Sequence, residues 1–245
     1  MPRQSVALQP HRRLFTDRKR NPDGKRGAVL HTAVRMFLER SYGRTSMDDV
    51  AMQLNITKPA LYHYFRNKEE ILVEIYRLGT DLIDEMLDSI EADEKPGLDK
   101  VADFIAGYIQ IITGDFGRAV IRLDDGELSK AGRKLVRGRK REIDHRLRAM
   151  IDGGIQDGSI APCDAKIASF ILAGSIHGMA AWYEPSGPLK LNVITSQYVQ
   201  ILTAGLATDG LAERTRPGSF AFKKARPIRR LWASRKSCNS CRIAK

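Results

Sequence analysis

The chain has 245 residues, of which 42% are hydrophobic, and a formal net charge of +12. That length holds one large domain or two small ones around a core of ordinary size, so nothing in it demands oligomerisation. No apolar run approaches the roughly 18 residues of a membrane span, and the basic, polar first residues lack the apolar stretch of a secretory signal. A cytoplasmic protein without membrane partners is expected.

The charge is segregated. Residues 1 to 26 carry eight Lys/Arg against Asp17 and Asp23, and Ala212 to Lys245 carry eleven against Glu213, which leaves residues 27 to 211 at a net −4. Two basic ends on a mildly acidic body suit a polyanion such as nucleic acid, or act only as solubilising ends. The division expected is a basic arm over 1–24, a DNA-binding unit over 25–70, a second helical unit over 71–210 and a basic, disordered tail over 211–245. Three cysteines, Cys163, Cys238 and Cys241, are an odd count that argues against a disulfide framework. "CNSC" at Cys238 to Cys241 has metal-ligand spacing, but zinc takes four ligands and no second pair accompanies it, so neither metal nor cofactor is expected.

In chain order, Lys25 to Arg40 places Val29, Ala33, Val34, Phe37 and Leu38 on one helical face, with Asp23 as N-cap and Gly43 beyond its end. Ser46 followed by Asp49 resembles a capping box and starts a helix over Met47 to Leu54. Asn55 tolerates the left-handed turn that follows, and Thr57 caps a third helix, Lys58 to Tyr64. Pro59 lies in its first turn, where a missing N–H loses no helical bond. Asn67 caps a long helix from Glu69 to about Ile90, which "EKPG" at Glu94 to Gly97 breaks.

Further helices are predicted over Leu98 to Thr113, Phe116 to Leu123, Ser129 to Gly153, Cys163 to Trp182 and Leu189 to Leu206. The Ser129 helix is very basic between Arg133 and Arg148. The Cys163 helix is apolar and small on nearly every side, as in an element buried more than once. With no convincing period-2 strand, the class is all-α, about nine helices in total.

The short pair Met47 to Leu54 and Lys58 to Tyr64, propped by the helix before it, forms a helix-turn-helix whose second helix enters the major groove. With Leu61 and Phe65 turned inward, Lys58 is free to donate to guanine O6/N7, while Pro59 and Ala60 can pack on a thymine methyl. Tyr62, His63, Tyr64 and Lys68 are placed for phosphates. Lys25, Thr45, Ser46 and Thr57, near the helix starts, complete the expected DNA-facing set. Spacing alone leaves another option open: Tyr62 and Tyr64 as packing aromatics and His63 as a solvated side chain.

"TSMDDVAMQLNITKPALYHYFRNKEEIL" closely resembles the DNA-binding segment of the TetR family of bacterial transcriptional regulators. The matching positions are Val50-Ala51, Leu61-Tyr62, Tyr64-Phe65, Lys68-Glu69 and Leu72, within a resemblance spanning Lys25 to Tyr76. Asn55 stands where the family commonly has glycine, a mild departure. The resemblance implies a ligand-binding and dimerisation unit after the reading head. Its last two long helices, 164–182 and 189–206, would pair with those of a second copy, with Ala168, Ala173, Gly174, Ser175, Gly178, Ala180 and Ala181 permitting close approach. "IHGMAAWYEPSGPLK" looks like a segment found in members governing fatty-acid, acyl-CoA or sterol catabolism. An apolar pocket from Phe104, Tyr108, Ile112, Met179 and Trp182 would suit such a ligand, and the run Arg133 to Arg141 could meet a CoA phosphate.

The expectation is a homodimeric repressor that binds a palindromic operator and is released by a small hydrophobic effector, with an acyl-CoA as one candidate. A non-specific architectural DNA binder is the competing possibility, since basic tails supply sequence-independent affinity. An enzyme using Ser175 and His177 is not expected: residues two apart on a helix do not face each other, and no acid partner or oxyanion motif is recognisable.

Overall fold

A computed structural model describes residues 22–208. The tail 211–245 with its Cys238 and Cys241, and all but the last residues of the 1–24 arm, lie outside the described residues. Those described form nine α-helices and one 3-10 turn, with an isolated bridge between Ile160 and Ala207 and no strand.

The N-terminal head comprises α1 (Pro22–Arg40), α2 (Met47–Leu54) and α3 (Lys58–Tyr64). Helix α1 begins at Pro22, so Asp23 falls within its first turn instead of capping it; proline suits a helix start because its missing N–H has no partner there. The chain leaves α1 through Ser41, at φ 71°, and not through Gly43. The Ser46 hydroxyl accepts from the Asp49 N–H at 3.1 Å while the Asp49 carboxylate accepts from the Ser46 N–H at 2.8 Å, completing the predicted capping box. Asn55 closes α2 in the left-handed conformation, φ 57° and ψ 43°. Thr57 occupies the N-cap position of α3 but its side chain makes no capping hydrogen bond. Seven residues are too few for a stable isolated helix. Burial of Leu61 and Phe65, at about 2 kcal/mol each, holds α3 against the core.

Helix α4 (Lys68–Ala92) runs out of the head into a bundle of α5 (Gly97–Thr113), α6 (Asp115–Arg122), the turn Asp125–Glu127, α7 (Lys130–Gln156), α8 (Ala165–Trp182) and α9 (Leu191–Ala204). Two apolar cores result. One joins Val34, Phe37, Val50, Leu61 and Phe65 of the head to Ile71, Ile75 and Tyr76 of α4 and to Ala119, Val120 and Leu123. The other is built from α4, α5, α7, α8 and α9 around Leu87, Phe104, Ile109, Ile151 and Ile176. Helix α4 runs through both, and α7 adds Val136 to the first and Leu147 to the second.

Close approaches at glycine set two of the crossings. A Cβ on Gly79 would lie 2.4 Å from Val120 Cγ2, so α4 and α6 meet there. A Cβ on Gly97 would lie 2.3 Å from Gly154 Cα, which explains why α7 continues through the double glycine to Gln156 instead of ending at Gly153. Asp164 accepts from the N–H groups of Lys166 (2.8 Å) and Ile167 (3.1 Å), so α8 starts at Ala165 and Cys163 lies outside it.

The basic run on α7 meets the acidic row of α4. Arg139 pairs with Asp81 and Asp84, and Arg146 with Asp88 at 2.6 Å and Glu91 at 2.8 Å. Arg133 instead donates to the carbonyls of Gly126 (2.9 Å) and Leu128 (3.1 Å). Within the 133–141 run, Arg133, Arg137 and Arg139 are thus partnered inside the chain, whereas Lys140 and Arg141 are without ion pairs among the described residues.

Candidate nucleic-acid interface and internal cavity

Helix α3 presents Lys58, Pro59, Tyr62 and His63 to solvent, with Ala60 and Tyr64 partly buried beside them. The Lys58 ammonium is 2.9 Å from Asp48 on α2; both side chains are exposed, and the pairing raises the Lys58 pKa. His63 and Tyr64 meet edge to face at 5.4 Å, and Tyr64 also packs on the first core. Tyr64 therefore has a packing role, one of the two options that spacing left open, whereas 42% of Tyr62 is accessible.

Other predicted residues divide by accessibility. Thr45 is buried, its hydroxyl donating to the Ser41 carbonyl at 3.0 Å, so its side chain fastens the end of α1. Ser46 and Thr57 are exposed at the starts of α2 and α3, and Lys25 is partly buried on α1. Lys68 donates to the Tyr42 carbonyl at 3.0 Å, with its ammonium 4.1 Å from the centre of the Tyr42 ring. Burial, with Glu69 and Glu127 nearby, pushes the Tyr42 hydroxyl up to about 12. Arg26, which the DNA-facing set omitted, stacks 4.6 Å over Phe65 and bonds Glu74 at 2.5 Å, tying α1 to α3 and α4.

Between α5, α7 and α8 lies a cavity of about 570 Å³ that opens to the surface beside Arg141, Phe170 and Gly174. Phe104 and Tyr108 of α5, two of the five residues expected to line a pocket, do line it. Ile112, one turn further along that face, is sealed in the second core beyond the cavity, and Met179 is fully buried there too. Trp182 is half exposed at the end of α8 and does not line the cavity. The remaining walls come from Ile83, Val120, Lys140, Ile143, Leu147, Phe170 and His177, among others. His177 Nε2 lies 2.7 Å from the Tyr108 hydroxyl. Its ring is reachable from the edge of α8 yet crowded by apolar neighbours; desolvation, and then the nearby Lys140 charge, lower its pKa below 6.5. Ser175, by contrast, donates to the Ile171 carbonyl at 2.7 Å within its own helix. Among the described residues no group of His, Cys, Asp or Glu is arranged to hold a metal, and no helix is long and apolar enough to cross a membrane.

Two family models match the chain: residues 29–75 match the bacterial regulatory proteins of the tetR family, and residues 94–206 the tetracyclin repressor-like C-terminal domain. The chain belongs to the TetR family. Among its relatives, the HTH-type transcriptional repressor KstR2 of Mycobacterium tuberculosis is 25% identical over 193 residues, covering 77% of this chain and 96% of the relative. The solved structure of that ketosteroid regulator shares the fold, with a TM-score of 0.69, 23% identity and coverage of 76% and 97%. A structure of AibR in complex with isovaleryl coenzyme A and operator DNA is 26% identical, with a TM-score of 0.68 and coverage of 73% and 98%.

For this TetR-family chain, the cavity residues that sequence reasoning missed sit mainly on α7. Lys140, Ile143 and Leu147 recur at helical spacing inside the basic run and mark an inward stripe. The arginines between them obscure it. On α8, Phe170, Ala173, Gly174 and His177 form the cavity face, but a helix apolar nearly all round gives no signal of which face that is.

Proposed function

We propose that the chain is a homodimeric repressor that reads a palindromic operator through α3 and is released when a small, mainly apolar effector fills the α5–α7–α8 cavity. The observation that carries this is the pairing, in one chain, of an exposed α3 surface with a 570 Å³ cavity on the far side of a shared helix, α4. KstR2 is named a transcriptional repressor, and the AibR complex holds both an acyl-CoA and operator DNA, which favours an acyl-CoA or related lipid as the effector here.

The dimer is argued from exposed apolar surface. Ile167, Phe170, Ile171 and Trp182 of α8, with Val193 and Ile201 of α9, are each at least half accessible in a single copy. An apolar groove of about 290 Å³, lined in part by Ile167, Ile171 and Ile201, runs between the two helices. Such a face marks an interaction site, and a two-fold pairing gives two reading heads and hence a palindromic target. Gly174, Gly178 and Ala181 are exposed on α8, whereas Ala168 and Ala180 are buried within the subunit and serve its own core. An effector releases DNA only to the extent that it prefers the conformation with misplaced heads.

The test is anisotropy binding of the full chain to DNA from upstream of its own gene against random DNA at fixed salt. Lys58→Ala and Tyr62→Ala should each weaken the specific complex about tenfold, equivalent to ~1.4 kcal/mol, with thermal stability unchanged. Equal affinity for both DNAs would instead indicate an architectural binder, and unchanged operator affinity in both variants would remove α3 as the reader.

A further inference from the structure

The cavity wall carries an unbalanced charge. Around it on α7, Arg137 pairs with Asp125 at 3.0 Å, Arg139 and Arg146 pair with α4, and Arg148 with Asp144. Asp144 is the one carboxylate on the cavity wall, and it also accepts from the Ser169 hydroxyl at 2.9 Å. Lys140 differs from these arginines. Among the described residues no carboxylate lies within ion-pair distance of it, and its ammonium rests instead 5.1 Å from the centre of the Tyr76 ring.

A partly buried cation with no carboxylate in contact pays a desolvation penalty that an entering anion relieves. Burial lowers the Lys140 pKa despite the opposing pull of the more distant Asp125 and Asp124 charges, and the Lys140 charge in turn disfavours protonation of His177 across the cavity. Arg141 stands exposed at the rim, while Phe104, Tyr108, Leu147 and Phe170 supply an apolar lining. The space thus offers hydrocarbon contact on most sides, a partly buried positive seat at Lys140 and a second, exposed cation at Arg141.

We propose that Lys140 is the anion-selecting residue of this cavity, and that the ligand is an amphiphile whose apolar body packs on Phe104, Tyr108 and Leu147 while a negative group sits at the Lys140 ammonium. This deepens, and rests on, the assignment of the cavity as the effector site. The negative group is either the carboxylate of a free acid or a phosphate of an acylated carrier, since both present anionic oxygens to an ammonium. A neutral lipid of the same chain length gains the apolar contacts only.

Calorimetric titration of the full-length protein with octanoate, octanoyl-CoA and 1-octanol tests this. In the wild type at least one anionic probe should bind tenfold or more tightly than octanol. Lys140→Met should abolish that advantage and leave octanol affinity within about twofold, whereas Lys140→Arg should retain it. Whichever anionic probe loses its advantage in Lys140→Met identifies the carboxylate or the phosphate as the seated group. Because Lys140→Met removes a desolvated charge without opening a void, its melting temperature should equal or exceed that of the wild type. An anion preference that survives Lys140→Met, or octanol binding as tightly as both anions, overturns the Lys140 assignment while leaving the cavity as a lipid site. Binding of none of the three probes overturns the effector site itself, and the Lys140 assignment with it.

Discussion

At the scale of single residues, the proposed reading surface holds its own competitor for DNA. Lys58 stands at the start of α3, where its ammonium would meet a base edge or phosphate, and Asp48 already neutralises it at 2.9 Å. Both side chains are well exposed, so the pair contributes little to folding; its bearing is on binding, because the duplex must displace or share the carboxylate. Asp48→Asn should therefore tighten the operator complex by about twofold to fivefold, equivalent to roughly 0.5–1 kcal/mol. The same substitution made in a Lys58→Ala background should give no gain if it acts through Lys58. A gain of the same size in both backgrounds would show a general loss of repulsion from the duplex instead.

At the scale of elements, α4 and α6 fasten the head to the bundle, and Glu74 is the anchor of α4 towards the head. Hydrogen bonds from Arg77, joined by one from Arg26 on α1 and by both positive charges, pull the Glu74 carboxyl from 4.5 to about 2 against the effect of burial. A carboxyl whose folded pKa lies below its unfolded value stabilises the fold fully above the unfolded value and loses that contribution as pH falls through the folded one. Stability should thus drop between about pH 4.5 and pH 2, and Glu74→Gln should flatten that part of the curve in denaturant titrations at pH 5 and pH 3. Coincident slopes for the two proteins would remove Glu74 as the origin. The same helices show what was legible beforehand. Ser46 and Asp49, Asn55 and Pro59 each act within a few residues of themselves, so the head could be read from local chemistry. The cavity could not, because it depends on which faces of α5, α7 and α8 converge. Tyr108 and His177 meet across 69 positions of chain, and Lys140 differs from the paired Arg137, Arg139, Arg146 and Arg148 in having α4's Tyr76 beneath it and no carboxylate in ion-pair contact.

At the scale of the whole molecule, the exposed apolar stripe on α8 and α9 connects architecture to affinity. A single head with a seven-residue reading helix contacts few bases. Two heads held by a common interface bind a palindrome with the second contact made intramolecularly, which raises affinity by about 10²–10⁴ without any new contact. Ile171 and Ile201 are 58% and 65% accessible in one copy and line the groove between α8 and α9, so a second copy would bury them while the subunit's own core is complete without them. Ile171→Glu combined with Ile201→Glu should yield a folded monomer by sedimentation velocity, with operator affinity reduced by at least about 100-fold and helical content by circular dichroism preserved. Neither side chain is a cavity-lining residue, so octanoyl-CoA titration of the variant checks the bundle independently of DNA. A variant that remains dimeric would place the two-fold contact on another face, and a monomer that binds the operator as tightly as the wild type would mean that a single head suffices.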